Sequence, residues 1–331
     1  MIQGSGAPLL QIAGLTKYFA PRRGFLGMPQ RRPRRLLRAL QEVSFDVRRG
    51  ETLGVVGESG CGKSTLARCL VRLHEPSEGS IRFDGQDVLT LRGDERRRYH
   101  RRVQMAFQDP YGSLNPRLTV GQALAEAIRF HELRPRGQTA ARVAELLDLV
   151  GLPASAARRY PREFSGGQRQ RIGIARALAV EPDVLIADEI VSALDVSVQA
   201  QIINLLLELQ NRLHLTILFI AHDLRVVRHL SHRVAVMYLG SIVEIGETEN
   251  LFTAPAHPYT AALLAAAPEI DWDRRDMREA VKGELPSPFD LPSGCAFRTR
   301  CRYATELCAN TRPLLSPNAM GNLVACHHRL H

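Results

Sequence analysis

Gly57-Glu58-Ser59-Gly60-Cys61-Gly62-Lys63-Ser64-Thr65 is the stretch on which the reading of this chain turns. Before it, Glu51-Thr52-Leu53-Gly54-Val55-Val56 is short, apolar and β-branched; after it, Thr65-Leu66-Ala67-Arg68-Cys69-Leu70-Val71 has helical character. Strand, glycine loop and helix in that order are the context that G-x-x-x-x-G-K-[ST] requires. The glycines let backbone N–H groups curl around phosphates, and the helix N-terminus adds its unpaired donors and the positive end of its dipole. Lys63 would neutralise charge on the β- and γ-phosphates, Ser64 would ligate Mg²⁺ and Thr65 would contact the α-phosphate. All nine residues, Gly57 to Thr65, are therefore candidates for nucleotide binding. A phosphate loop alone identifies a nucleotide site and not the machine around it.

Outward from the loop, the chain alternates strands with helices. Residues 9–19 and 40–56 carry short apolar runs such as Val43-Ser44-Phe45-Asp46-Val47, separated by a basic, proline-containing stretch, 20–38, that reads as an inserted loop. From about 120 to 160 the pattern is helical, with Val143, Leu146, Leu147 and Val150 on one face. Val184-Leu185-Ile186-Ala187 and Leu215-Thr216-Ile217-Leu218-Phe219-Ile220 are unbroken apolar runs, the signature of parallel strands buried on both faces. A helix around 198–213 joins them. Open α/β sheets place their sites where such strands end in polar residues.

Three ends qualify. Asp188 and Glu189 follow the first run, with Asp188 suited to holding Mg²⁺ and Glu189 to polarising an attacking water. His222 follows the second run and could bond the γ-phosphate or orient Glu189. Gln108 trails Met105-Ala106-Phe107 and could reach both Mg²⁺ and the water.

Composition sets the outer bounds. The chain has 331 residues, 45% hydrophobic and 24% charged, which suits one large domain with an appendage. No apolar run approaches the ~20 residues of a membrane span, and the first residues lack the pattern of a secretory signal, so a cytosolic chain is expected. The net charge of +10 is compatible with nucleic acid, anionic lipid or nucleotide. Much of it lies in two arginine clusters, Arg22, Arg23, Arg31, Arg32, Arg34, Arg35 and Arg38, then Arg92, Arg96, Arg97, Arg98, Arg101 and Arg102. Neither interleaves aromatics as a base-stacking surface does, and both read as solvated faces. Beyond Pro255 the composition turns to Pro, Ala and Cys. Cys295, Cys301, Cys308 and Cys326 crowd this end, and in a cytosolic chain such a group suggests metal ligation before disulfides.

Phe164-Ser165-Gly166-Gly167-Gln168-Arg169-Gln170-Arg171 supplies a second glycine-rich helix start. With the phosphate loop, Gln108, Asp188-Glu189, Ser192-Ala193-Leu194-Asp195 and His222 in this order, the chain resembles the ATP-binding cassette (ABC) family. The resemblance implies an α/β fold: a P-loop NTPase cassette with a RecA-like parallel-sheet core, an antiparallel β-subdomain and a helical signature subdomain at about 109–170. The cassette would occupy residues 1–255, and a small cysteine-containing extension 256–331. It also implies that ATP is sandwiched between the phosphate loop of one subunit and Ser165, Gly166, Gly167 and Gln168 of another. Ser192, Ala193, Leu194 and Asp195 would form the D-loop between them. Glu189, His222 and Gln108 would be catalytic, Ser64, Gln108 and Asp188 would serve Mg²⁺, and Phe19, or alternatively Tyr18, would stack on adenine.

Gln108-Asp109-Pro110-Tyr111-Gly112-Ser113-Leu114-Asn115-Pro116-Arg117, Val191 to Gln201, and His257-Pro258-Tyr259-Thr260 are similar to the ATPases of bacterial dipeptide and oligopeptide importers. Ile190 departs from the proline usual there after the catalytic glutamate, which leaves both carboxylates in place. This branch implies a peripheral protein on the cytoplasmic face of the inner membrane. Its partners would be a second ATPase subunit (identical or different), two transmembrane permease subunits and, indirectly, a periplasmic binding protein, with no nucleic acid. Nickel chelates, opines and glutathione are alternative cargoes. It further implies a [4Fe–4S] cluster on Cys295, Cys301, Cys308 and Cys326, whose spacing lacks paired C-x2-C knuckles; zinc, with His327 and His328 nearby, or no metal are the alternatives. Two other classes stand as rivals. A nucleic-acid-associated cassette usually carries two cassettes or a long coiled coil, and a non-hydrolysing subunit would lack some of these motifs.

Overall fold

Leu10 and Ile12 are buried while Gln11 and Ala13 are exposed, and this period of two makes Leu10–Phe19 a half-buried strand, β1. The computed structural model describes residues 7–20, 36–109, 112, 114–266 and 283–330. Most of the first arginine cluster (Arg22, Arg23, Arg31, Arg32, Arg34 and Arg35), along with Pro110, Tyr111 and Ser113, lies outside the described residues. Strands β2 (Leu37–Val47), β3 (Thr52–Val56), β4 (Glu78–Phe83) and β5 (Gln86–Asp87) follow. Next come β6 (Val103–Ala106), β7 (Val184–Asp188) and β8 (Thr216–Ile220), and finally β9 (Arg233–Tyr238), β10 (Ser241–Glu247), β11 (Ser316–Pro317) and β12 (Leu323–Val324).

The chain divides into two compact units. One comprises Leu9–Asp46, Leu53–Leu89 and His222–His331. It holds a four-stranded sheet in the order β2-β1-β4-β5, with β1 antiparallel to β4 through Leu10 opposite Phe83 and Ile12 opposite Ile81. This is the expected antiparallel β-subdomain. The same unit holds the strand order β11-β12-β10-β9-β3, in which β3 runs parallel to β9 from Leu53 opposite Arg233 to Val56 opposite Val236. Leu239 and Gly240, with φ of 43° and 82°, close the β9–β10 hairpin in the left-handed conformation that matches strand twist. Residues 283–330 contain little regular structure beyond the helix Glu306–Asn310 and the short β11–β12 pair.

The other unit comprises Met1–Pro8, Val47–Thr52 and Thr90–Ala221. Its strands lie in the order β8-β7-β6, all parallel, with Val184 opposite both Val103 and Thr216. Every residue of β7 and β8 is buried, which is why both read as unbroken apolar runs. The helices Val120–Phe130, Thr139–Leu149 and Gly166–Leu178 form the expected helical segment, and Val196–Leu213 connects β7 to β8. Among the described residues, no helix is long and apolar enough to cross a membrane.

Candidate functional site

The phosphate loop follows β3 and opens into the helix Lys63–Leu70. Two of its glycines are forced by geometry. Gly57 has φ 154°, and a Cβ there would collide with the Met237 carbonyl; Gly62 has φ 109°, and a Cβ would collide with that of Ala39. Gly62 is also the N-cap, so the helix begins with no side-chain cap and no acidic residue in its first turn. That leaves an N-terminus electrostatically suited to an anion. Lys63 is only 3% exposed, and its ammonium donates to the carbonyls of Gly57 (2.8 Å) and Glu58 (3.2 Å). The lysine therefore curls over its own loop, its charge held within the cradle. Cys61 acts through its backbone: its N–H donates to the Glu58 carbonyl and its own carbonyl accepts from Gly240, while its thiol is buried and its pKa raised by that burial. Ser59 and Gly60 are exposed, and Ser64 and Thr65 half-buried.

In the unit containing β7, Asp188 ends the strand and is 3% exposed, while Glu189 beyond it is half-buried. Glu189 has φ 49°, a left-handed conformation that costs a non-glycine residue about 1 to 2 kcal/mol. The turn is held by the Glu189 N–H donating to the Ile220 carbonyl at the end of β8, and by Ser192, whose N–H and hydroxyl both donate to the Glu189 carbonyl. Gln108 joins this group, its amide donating to the Ser192 hydroxyl at 3.3 Å. Gln108, Glu189 and Ser192 are thus assembled at one strand edge. Ile190 is buried, so the residue in the proline position packs inward rather than disturbing the turn.

The helix Gly166–Leu178 begins differently. Ser165 is its N-cap and accepts from the Gln168 N–H at 3.3 Å, while the Gln168 side chain accepts from the Ser165 N–H at 3.1 Å. Both side chains are exposed, and Gly167 is buried where a Cβ would collide with Val198. Gly166 sits against Leu194, and the Leu194 carbonyl accepts from the Gln199 side chain. Ala193 and Asp195 are exposed. Gln170, which belongs to none of the recognised motifs, is 2% exposed and donates to the Phe107 carbonyl, tying this helix to the strand end that carries Gln108. A polar residue on the buried face of an amphipathic helix was the available signal.

His222 belongs with the phosphate-loop unit, is exposed, and precedes Asp223, which caps the helix Leu224–Leu230. Phe19 is half-buried at the end of β1, edge-on to His74 at 5.3 Å with the Lys17 ammonium 5.0 Å from its ring. Tyr18 beside it is also half-buried, its N–H bonded to Ser77.

Cys295, Cys301, Cys308 and Cys326 are free thiols. Burial pushes the Cys326 thiol up to about 11, and the neighbouring Cys295, Cys301 and Cys308 add to the rise. The His328 N–H, 3.3 Å from the Cys326 sulfur, offsets part of it. Among the described residues, no group of three or more His, Cys, Asp or Glu side chains is placed so that it could hold a metal ion, and the expected metal ligation finds no support there.

The sequence matches two family models, "ABC transporter" over residues 40–192 and "Oligopeptide/dipeptide transporter, C-terminal region" over residues 243–308. A protein of Sinorhizobium fredii named "Probable peptide ABC transporter ATP-binding protein" is 52% identical over 97% of this chain and 90% of its own length. The dipeptide transport ATP-binding protein of Haemophilus influenzae is 46% identical over 97% of both chains. Among solved structures, a Clostridium perfringens protein that is part of an ABC transporter complex aligns with a TM-score of 0.62 at 26% identity, covering 74% of this chain and 91% of that one. A dimeric ATP-binding cassette bound to ADP and Pi in a post-hydrolysis state aligns with a TM-score of 0.60 at 28% identity, covering 72% and 98%. With a glycine loop that leaves its helix uncapped, an acidic strand end and a self-capped Ser-Gly-Gly-Gln helix on one such scaffold, the chain belongs to the ATP-binding cassette family, among its peptide-transport ATP-binding proteins.

Proposed function

We propose that this chain binds and hydrolyses ATP to power import of dipeptides or oligopeptides through a membrane complex, with Gly57 to Thr65 as the phosphate site. The observation that carries the reading is one chain combining the uncapped helix behind Gly62 with the C-terminal region matched to oligopeptide and dipeptide transporters. Lys63 and the amides of the loop hold the triphosphate, while Ser64, Gln108 and Asp188 attend Mg²⁺, which neutralises charge on the phosphate oxygens when bound. Glu189 accepts the proton of the attacking water, and Gln108 and His222 orient that water and the γ-phosphate. Ser165, Gly166, Gly167 and Gln168 contribute from an opposing ATPase subunit, identical or different, across the D-loops. Phe19 or Tyr18 stacks on adenine.

The partners in this reading are two transmembrane permease subunits, with the chain peripheral on the cytoplasmic side of the membrane. The test is ATP hydrolysis by the complex in lipid vesicles with a loaded binding protein. Turnover should rise when the membrane subunits and the peptide-loaded binding protein are added, and should ignore DNA and ribosomes. Stimulation by nucleic acid alone would overturn it.

The cysteine group supports a second assignment, a [4Fe–4S] cluster held by Cys295, Cys301, Cys308 and Cys326. Four neighbouring free thiols, with backbone N–H groups at the sulfurs of Cys295, Cys301 and Cys326 and the Thr305 hydroxyl 3.8 Å from that of Cys308, are a donor set suited to iron–sulfur ligation. A four-iron cluster takes one cysteine per iron, so its ligands need not converge on a single ion as a zinc site demands. Anaerobically purified protein should contain iron and acid-labile sulfide in equal amounts, about four of each per chain. Zinc in place of iron, or neither metal, contradicts the assignment.

A further inference from the structure

Glu58 is the acidic residue of the phosphate loop, and its neighbours come from the C-terminal region. The Arg300 guanidinium donates to its carboxylate at 2.8 Å, with the arginine side chain 7% and the glutamate 25% exposed. The Glu58 N–H donates to the Tyr259 hydroxyl at 3.0 Å, and Tyr259 is fully buried. These side chains are fixed from behind. Tyr259 packs edge-on against Tyr238 at 4.7 Å and tilted against Phe297 at 5.3 Å, and the Arg300 guanidinium lies 5.9 Å from the Tyr238 ring. The Arg300 N–H donates to the Phe297 carbonyl, within the turn between Cys295 and Cys301.

A carboxylate on a loop that receives a polyphosphate opposes binding unless a cation offsets it. Lys63 brings a single positive charge, which the incoming phosphates would take up, and its ammonium donates to the loop's own carbonyls at Gly57 and Glu58. A largely buried guanidinium locked by aromatic packing is a better counter-charge than an exposed lysine, since it loses little freedom in making the bond. The shape of the loop is set by the same contacts, because the Glu58 amide bonded to Tyr259 sits beside the carbonyl that receives Lys63.

We infer that Arg300 and Tyr259 are positioning residues for the phosphate site: Arg300 neutralises Glu58 and Tyr259 anchors its backbone, so the C-terminal region sets the loop's affinity for ATP. The inference rests on Gly57 to Thr65 being the phosphate site, and the experiment separates the two. Equilibrium binding of ATP, ADP and AMP would be measured on the full chain for Arg300→Ala, Arg300→Lys, Glu58→Gln, the double variant Glu58→Gln/Arg300→Ala, and Lys63→Ala. Arg300→Ala should raise the Kd for ATP about tenfold, the loss of one charge-assisted bond, with a smaller rise for ADP and the smallest for AMP. Arg300→Lys should recover part of the loss, and the double variant should return to within about threefold of the parent. A purely architectural arginine would not be rescued by removing its partner's charge. The inference fails if Arg300→Ala binds ATP normally, or if the double variant is no better than the single one. Should Arg300→Ala not fold, Arg300→Gln, of similar reach but without the charge, decides: weaker ATP affinity than the parent supports the inference, and unchanged affinity overturns it. Unchanged ATP binding by Lys63→Ala would instead remove the loop from its role.

Discussion

Two helices of this protein begin in glycine-rich sequence, and they begin in opposite ways. The helix Lys63–Leu70 has a left-handed glycine as its N-cap and no side chain closing its end. The helix Gly166–Leu178 is closed by its own serine and glutamine in a reciprocal capping box. The first N-terminus has no side-chain cap, which suits the phosphates of the proposed ligand; the second is capped by its own side chains and offers its serine at the surface. The contrast fits a site in which one surface binds nucleotide within its own chain and the other acts only when an opposing subunit brings nucleotide to it.

The largest expected effect falls on neither helix but on the strand end that carries the proposed general base. Glu189→Gln should cut ATP turnover about 10²- to 10⁴-fold while leaving ATP bound, read by phosphate release and retained nucleotide. Unchanged turnover would remove Glu189 as general base. At the first helix, Gly62→Ala forces a side chain into a left-handed position against the Ala39 carbonyl, and should weaken ATP binding by the isolated chain about 10- to 100-fold. At the second, Ser165→Ala removes a cap worth about 1 kcal/mol of stability, seen as a lower thermal midpoint. It should reduce turnover of the assembled complex while leaving ATP binding by the isolated chain intact. The smallest effect belongs to Ser192→Ala, which removes the hydroxyl's bonds with Gln108 and the Glu189 carbonyl while keeping the backbone N–H bond, and should slow turnover by several-fold, about 1 kcal/mol.

The sequence made the first helix more legible than what surrounds it. Gly57, Gly62 and Lys63 are local requirements, readable because backbone sterics and charge act within a few residues. Strands β7 and β8 were equally plain, since burial on both faces leaves an unbroken apolar run. The strain at Glu189 was not readable, because nothing in the side-chain types announces a left-handed residue between Asp188 and Ile190. The roles of Tyr259 and Arg300 were hidden for another reason. They lie 201 and 242 residues from Glu58 along the chain, and Tyr259 entered only as part of a recurring string. Contacts made by packing across such separations leave no periodic trace. The opposing capping states of the two helices could be suspected from Gly62 and Ser165 but required the geometry of both termini.

The comparison is tested most directly by ATP affinity of the isolated chain in two variants measured side by side, Lys63→Ala and Ser165→Arg. Lys63→Ala should lose ATP binding, whereas Ser165→Arg should bind as the parent does and fail only in hydrolysis by the assembled complex. Loss of binding in both variants, or retention by Lys63→Ala, would contradict it.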